Sequence, residues 1–266
     1  MALIHIGFFS EALGMCTSCD VILPQKSRSL IGMRTAGADT RKVLWLIHGA
    51  SDDHTIWQRR TSIERYAAPL GLSVVMPSAH LSSYADMAHG GKFFTYIADE
   101  LPQIMKRFFG FSDRREDNFI AGLSMGGAGC LKIGLARPEQ YSAIGCLSAG
   151  ASNFRANANN PAMAKRRQMV YGDRELAGTE EDTRGNAQRL VEAGGPLPRI
   201  YHACGSEDFL LNNARDTRDF FQGFAGNPFD YTYEENPGAH TWEFWDEHSQ
   251  HVLKDLGLEA EEGVRN

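Results

Sequence analysis

The stretch NFIAGLSMGGAG, residues 118–129, joins an apolar run to a run of small residues. The first part is typical of a strand buried on both faces, and the second part of a helix packed closely on a sheet. Between them, GLSMG at residues 122–126 fits the pattern GxSxG. In that pattern a tight strand-to-helix turn exposes the serine hydroxyl at the edge of a sheet. The stretch therefore predicts an α/β fold and a nucleophilic Ser124.

Short apolar runs alternate with helical patterns on both sides of this stretch. The predicted strands are residues 43–47, 72–76, 118–121, 143–147, 199–204 and 230–233, and the predicted helices are 96–109, 125–136 and 214–224. Pro102 should start a new turn or a kink in the first of these helices, because proline is costly in a helix interior. This alternation implies a mostly parallel central sheet with right-handed crossovers. Residues 3–34 lack helical spacing and predict antiparallel N-terminal strands.

One polar stretch interrupts the alternation. Residues 151–196 contain only two short helical patterns, near 162–171 and 180–193. Long inserts in compact domains are usually functional. We therefore expect one domain spanning 1–266 with a lid-like insert at about 151–196. Together with residues 82–89, the insert should wall the substrate pocket, because ligands bind at the carboxyl ends of such strands.

Composition excludes several classes of function. The chain has 266 residues and a formal net charge of −6, which argues against nucleic acid as a partner. No apolar run approaches the ~20 residues that span a bilayer, so no membrane segment is expected. The start lacks the basic region of a signal peptide, and a cytoplasmic location is expected. Cys16 and Cys19 form a CxxC without a second ligand pair, so neither a metal nor a redox site is predicted.

A serine nucleophile needs a base, and the base needs a carboxylate partner. In this fold they follow the serine in the order acid, then histidine, each after a late strand. His240 is the one histidine of nine that follows the last predicted strand in a glycine-containing loop, whereas His248 and His251 are expected to face solvent from a C-terminal helix. The turn after residues 199–204 offers Glu207 and Asp208. The third position past the glycine favours Asp208.

Two backbone amides should stabilise the developing oxyanion. One belongs to Met125, directly after the nucleophile. The other is expected from Ala50, in the loop that follows the strand at 43–47. Side chains near these loops are candidate substrate contacts, although packing is the favoured alternative for Trp57. The candidates are His48, Gly49, Trp57, Phe209 and Trp242.

The chain resembles the Putative esterase group of α/β-hydrolases, and within it the bacterial tributyrin esterases, relatives of esterase D (S-formylglutathione hydrolase). The resemblance covers nearly the whole chain. It is carried by FFSEALGM (8–15), VILP (21–24), LIHGASD (46–52), TSIERYA (61–67), REDNFIAGLSMGG (115–127), ACGSEDFL (203–210) and PGAHTWEFWD (237–246). The CxxC is not part of the family pattern, and Ala50 stands where relatives often carry leucine.

The resemblance implies an α/β-hydrolase fold and a serine carboxylesterase that hydrolyses short-chain acyl esters. It implies no metal or cofactor, a small-molecule ester as substrate, and Ser124, Asp208 and His240 as catalytic residues. Relatives often self-associate, so a homo-oligomer is compatible with it. Three alternatives stay open: a thioesterase acting on S-formylglutathione, an acyltransferase, and a catalytically silent binding protein.

Overall fold

The computed structural model describes residues 1–25, 31, 42–151 and 161–258, and the side chains of 161–163 are not described. Sequence predictions for residues 26–30, 32–34 and 152–160 lie outside these ranges. The strands are β1 (Ala2–Ser10), β2 (Met15–Leu23), β3 (Val43–Ile47), β4 (Ser73–Pro77), β5 (Asn118–Leu123), β6 (Ala143–Leu147), β7 (Arg199–Gly205) and β8 (Thr232–Asn236). The α-helices are α1 (Ile56–Arg60), α2 (Ile63–Ala67), α3 (Leu101–Phe109), α4 (Met125–Ala136), α5 (Pro161–Tyr171), α6 (Thr183–Ala193), α7 (Leu211–Gln222) and α8 (Trp242–Asp255).

The eight strands form one sheet in the order β1-β2-β4-β3-β5-β6-β7-β8. β1 pairs antiparallel with β2, and β2 pairs antiparallel with β4. The remaining neighbours are parallel. The predicted sheet, mostly parallel with antiparallel N-terminal strands, is therefore confirmed. Because parallel strands end at the same edge, the loops after β3, β5, β7 and β8 meet there.

Helices cover both faces of the sheet, and the residues of each inner strand alternate between two hydrophobic cores. In β3, Val43, Trp45 and Ile47 join a core that includes residues of α3 and α4. Leu44 and Leu46 point the other way, into a core with residues of α1, α2 and α8. Since both faces are covered, the inner strands are fully buried. Their continuous apolar runs follow from this burial.

The predicted helix at 96–109 is divided at the proline, as expected. Residues Thr95–Glu100 form a wide π-helical turn, in which the Leu101 N–H donates to the Tyr96 carbonyl five residues back. The regular helix α3 starts at Leu101 and has Pro102 in its first turn. Proline is tolerated in the first turn of a regular helix because its missing N–H removes none of that helix's own i to i−4 hydrogen bonds.

The insert between β6 and β7 contains α5 and α6, close to the two predicted helical patterns. A buried ion pair joins it to α4: Lys132 Nζ lies 2.6 Å from the Glu181 carboxylate. The Ala88 N–H donates to the Val170 carbonyl at 2.7 Å, so the insert also contacts the 82–92 loop. The insert is therefore attached to the helix that follows Ser124.

The structure also shows where the two CxxC cysteines lie and how long the helices are. Cys16 is exposed and Cys19 is buried on β2, and both are free thiols. Their odd spacing in a strand places them on opposite faces. None of the helices in the described ranges is long and apolar enough to cross a membrane.

His202 on β7 is a fully buried histidine with two fixed partners. Its Nε2–H donates to the Ala149 carbonyl at 2.9 Å, and its Nδ1 accepts from the Tyr231 hydroxyl at 2.7 Å. Burial lowers the pKa of His202 from its ordinary 6.5 to about 4. The unfolded chain therefore takes up a proton here at a higher pH than the native chain does.

We expect the free energy of unfolding to fall as the pH drops from 6.5 to 4, with about 2–3 kcal/mol of the loss due to His202. Replacing it by glutamine, which does not titrate, should flatten the pH dependence by that amount. Urea denaturation at several pH values measures it, with the exposed His89→Gln as control. Parallel pH curves for wild type and His202→Gln would contradict this expectation.

Candidate active site

Ser124 occupies a strained turn between β5 and α4. Its backbone has φ 52° and ψ −117°, a conformation that non-glycine residues rarely adopt. The turn depends on two glycines. A Cβ on Gly122 would lie 2.6 Å from the Gly126 backbone, and a Cβ on Gly126 would lie 2.6 Å from the Ile47 and His48 carbonyl oxygens. The GxSxG spacing is therefore needed for the close contact between this turn and the end of β3.

His240 lies between Ser124 and Asp208 and bonds to both. Its Nε2 is 2.9 Å from Ser124 Oγ, and its Nδ1 is 2.8 Å from Asp208 Oδ2. A carboxylate only accepts hydrogen bonds, so the ring proton resides on Nδ1. The Nε2 lone pair is then free to accept the serine proton. This is the arrangement that activates a serine hydroxyl for nucleophilic attack.

The structure distinguishes the two acidic residues after β7. Asp208 is buried and bonded to His240, whereas Glu207 is exposed. Burial by itself raises the pKa of Asp208, but hydrogen bonds from His240, the Leu210 N–H and Ser148 outweigh it, so the pKa lies below its ordinary value. Asp208 is therefore held as a carboxylate beside the imidazole.

Ser148 and Trp245 belong to this site but were not predicted from the sequence. Ser148 follows β6 with a positive φ of 50° and is fully buried. Trp245 Nε1–H donates to Ser148 Oγ at 2.9 Å, so the Ser148 hydroxyl is left to donate to Asp208. The Trp245 ring also packs edge-on against the His240 ring, with the centroids 4.9 Å apart. Ser148 therefore holds the Asp208 carboxylate, and Trp245 holds Ser148 and the His240 ring.

The two predicted oxyanion donors flank Ser124. Met125 begins α4, and its N–H, like that of Ala50, donates to no other residue in the described ranges. Gly49 brings the Ala50 loop close, because a Cβ on it would lie 3.6 Å from Ser124 Cβ. Both amides are thus available for an oxygen bound beside Ser124.

His48 orients the Ala50 amide rather than facing the substrate cleft. The side chain was predicted as a substrate contact, but it is 1% exposed. Its Nε2 accepts from the Ala79 N–H at 2.9 Å, which places the ring proton on Nδ1, 2.6 Å from the Gly49 carbonyl. That carbonyl and the Ala50 N–H belong to one peptide group and point in opposite directions. Burial also lowers the pKa of His48, which favours the neutral ring.

The three aromatic side chains that were predicted as substrate contacts differ in how far they are exposed. Trp57 is buried, and its Nε1–H donates to the Ile47 carbonyl, so it packs under the site. Trp242 contacts both Trp57 and Trp245 edge-on. Phe209 differs, because it is 76% exposed and its ring lies 4.4 Å from that of His240. Of these aromatic rings, Phe209 is the most exposed.

The insert contributes one side chain next to the nucleophile. Arg166 on α5 places Nη2 2.8 Å from Met125 Sδ and 3.2 Å from Ser83 Oγ. Its Nε is buried and has no hydrogen-bond partner within the described ranges. Burial lowers the pKa of Arg166. In the sequence, this arginine lies in a short basic run at residues 165–167.

Comparisons with known proteins identify the family of the chain. The profile of the family described as Putative esterase matches residues 10–251. An acetyl esterase of Caldicellulosiruptor saccharolyticus is 30% identical over 258 residues, which is 93% of this chain and 95% of that protein.

Two solved structures from Staphylococcus aureus are each 31% identical and aligned over 96% of this chain and 98% of theirs. They are fluorophosphonate-binding serine hydrolase F, with a TM-score of 0.82, and S-formylglutathione hydrolase, with a TM-score of 0.78. The fold is therefore that of the α/β-hydrolases, and the chain belongs to the Putative esterase family as a serine hydrolase of the carboxylesterase type.

Proposed function

We propose that this enzyme hydrolyses short-chain acyl esters through an acyl-enzyme intermediate, with Ser124 as nucleophile, His240 as base and Asp208 as its carboxylate partner. The observation that carries the proposal is the pair of hydrogen bonds at His240, 2.9 Å to Ser124 Oγ and 2.8 Å to Asp208. The Arg166 contact with Met125 supports a short acyl group, because it limits the space beside the nucleophile.

In the first step, His240 Nε2 takes the proton of Ser124 as its oxygen attacks the ester carbonyl. The negative charge on the former carbonyl oxygen is stabilised by the N–H groups of Ala50 and Met125. Asp208 stabilises the imidazolium that forms. The imidazolium then returns its proton to the departing alcohol, and the acyl group stays on Ser124.

In the second step, water attacks the acyl-enzyme. His240 is neutral again and takes a proton from the water, and the same two amides stabilise the second oxyanion. The intermediate collapses to the free acid, and the proton returns to Ser124. The cycle consumes one water and needs no further reactant.

Replacing Ser124 by alanine should lower kcat on p-nitrophenyl acetate by on the order of 10⁴–10⁶, because the attacking oxygen is lost. Covalent labelling by a fluorophosphonate should be lost as well. Ser206→Ala, which removes an exposed serine near Asp208, is the matched control and should keep both signals. Wild-type turnover in Ser124→Ala would refute the assignment.

His48→Gln should lower kcat by about 10–100-fold with little change in KM, because the substitution disturbs the alignment of one oxyanion donor without deleting it. Steady-state kinetics with p-nitrophenyl acetate separates kcat from KM. Tyr84→Phe is the matched control, since it removes a hydrogen bond to the His48 carbonyl and leaves the ring in place. An equal loss of kcat in both variants would show general loosening of the loop and contradict the positioning role.

A second candidate substrate is the thioester S-formylglutathione. One solved structure similar to this chain is an S-formylglutathione hydrolase. The half-buried Arg166 favours this candidate as well, since its guanidinium lies next to Met125 and glutathione carries carboxylates that an arginine binds well. The same serine chemistry serves both substrates, because both are acyl transfers.

The ratio of kcat/KM for S-formylglutathione to that for p-nitrophenyl acetate separates the two candidates. If the thioester is the substrate, Arg166→Met should lower this ratio by roughly tenfold, the value of one lost charge-assisted hydrogen bond. Lys165→Met, an exposed change on the same helix, should leave the ratio unchanged. A ratio that Arg166→Met does not alter would favour the neutral ester.

A further inference from the structure

Glu234 on β8 and His248 and His251 on α8 form a cluster of three potential metal ligands. One potential ligand atom from each residue lies within 4.8 Å of the others. His251 Nδ1 is 2.9 Å from Glu234 Oε2. His248 is 1% exposed, whereas the side chains of Glu234 and His251 are 35% and 42% exposed. The sequence had placed both histidines in solvent, and for His248 that expectation is wrong.

Two acceptor atoms of this cluster face the same amide group, that of Asn236. His248 Nδ1–H donates to the Phe244 carbonyl at 2.9 Å, which leaves Nε2 as an acceptor. The Asn236 amide lies 3.0 Å from His248 Nε2 and 3.4 Å from Glu234 Oε2, and donates to both. His248 Nε2 and Glu234 Oε2, with the His251 ring beside them, therefore face the position that the Asn236 amide group occupies. Converging acceptor atoms are what a cation requires.

We propose that Glu234, His248 and His251 bind a divalent transition-metal ion, with Zn²⁺ as the best fit. Imidazole nitrogen and carboxylate oxygen are ordinary zinc ligands, and two histidines with one carboxylate leave a fourth position for water. The carbonyl that orients the His248 ring is typical of metal-binding histidines. Binding requires that the His251 Nδ1 proton leaves and that the Asn236 amide moves aside.

Acidic side chains contribute to this cluster and lie next to it. Glu234 Oε2 accepts hydrogen bonds from the Tyr201 hydroxyl at 2.8 Å and from His251 Nδ1 at 2.9 Å. Asp255 lies one helical turn beyond His251, and its Oδ2 is buried with no partner in the described part of the chain. Arg199 donates to the Asp255 main-chain carbonyl at 2.6 Å.

The position of the site gives the ion a structural effect on the enzyme. Glu234 lies on β8 and the two histidines lie on α8, and the loop between these elements carries His240. A bound ion would join both elements and hold the ends of that loop together. We therefore expect the ion to stabilise the folded chain without contacting the substrate.

Zinc titration by calorimetry tests the site on the full-length chain, freed of affinity tags and stripped with EDTA. We expect one Zn²⁺ per chain and a melting temperature that rises with Zn²⁺. Glu234→Gln and His251→Ala should each weaken binding by at least roughly tenfold and abolish the rise in melting temperature. Both residues are partly exposed, so these variants should fold.

His5→Ala is the matched control, because His5 also bonds through Nδ1 to a carboxylate, that of Asp20, at 2.6 Å. It should bind Zn²⁺ as the wild type does. The proposal is overturned if the wild type shows no saturable binding, if Glu234→Gln and His251→Ala bind as tightly as the wild type, or if His5→Ala alone loses the ion.

Discussion

The contact between the turn at Ser124 and the end of β3 is the constraint on which the site depends. A non-glycine residue in such a backbone region costs of order 1–3 kcal/mol, and the conformation persists only if its surroundings hold it. Here the Ser124 N–H donates to the Leu147 carbonyl at 2.8 Å, and Gly126 lies against the last peptides of β3. The same contact that strains the serine also brings the Ala50 loop next to it.

Burial raises the pKa of Asp208 and hydrogen bonds lower it, and the hydrogen bonds have the larger effect. At the buried pair of Lys132 and Glu181 the balance is reversed, and the pKa of Glu181 is raised, with burial as the largest cause. The difference lies in the number of donors, since His240, a backbone N–H and Ser148 all reach the Asp208 carboxylate. A well-solvated acid would not need this support, but it would also hold the imidazole less firmly.

The sequence was most informative where burial is complete. The bounds of β3 and β6 were predicted to the residue, because an apolar run flanked by polar residues marks a strand covered on both faces. β8 was displaced, since an edge strand with partly exposed residues lacks such a run. The proximity of Ser124, Asp208 and His240 could be predicted from the order of the strands, because the loops that follow parallel strands meet at one edge of the sheet.

Other features could not be predicted because they arise from contacts between distant parts of the chain. Ser148 gains its role from Trp245, ninety-seven positions further along the chain. His48 looked like a ligand contact because of its loop, but the Ala79 amide turns its ring inward. His248 differs, because it lies on the buried face of α8 four residues from both Phe244 and Val252, a helical spacing that is visible in the sequence. For Ser148 and His48, the local sequence carries no record of their distant partners.

The attachment of the insert has a consequence for how this kind of enzyme diversifies. Arg166 contacts Met125, yet the described part of its segment, residues 161–196, supplies no strand to the sheet. Substitutions there would change the surface beside Met125 and leave the loops that carry Ser124, Asp208 and His240 in place on the sheet. Under the proposed function, substrate preference can then change during evolution while these three residues stay the same.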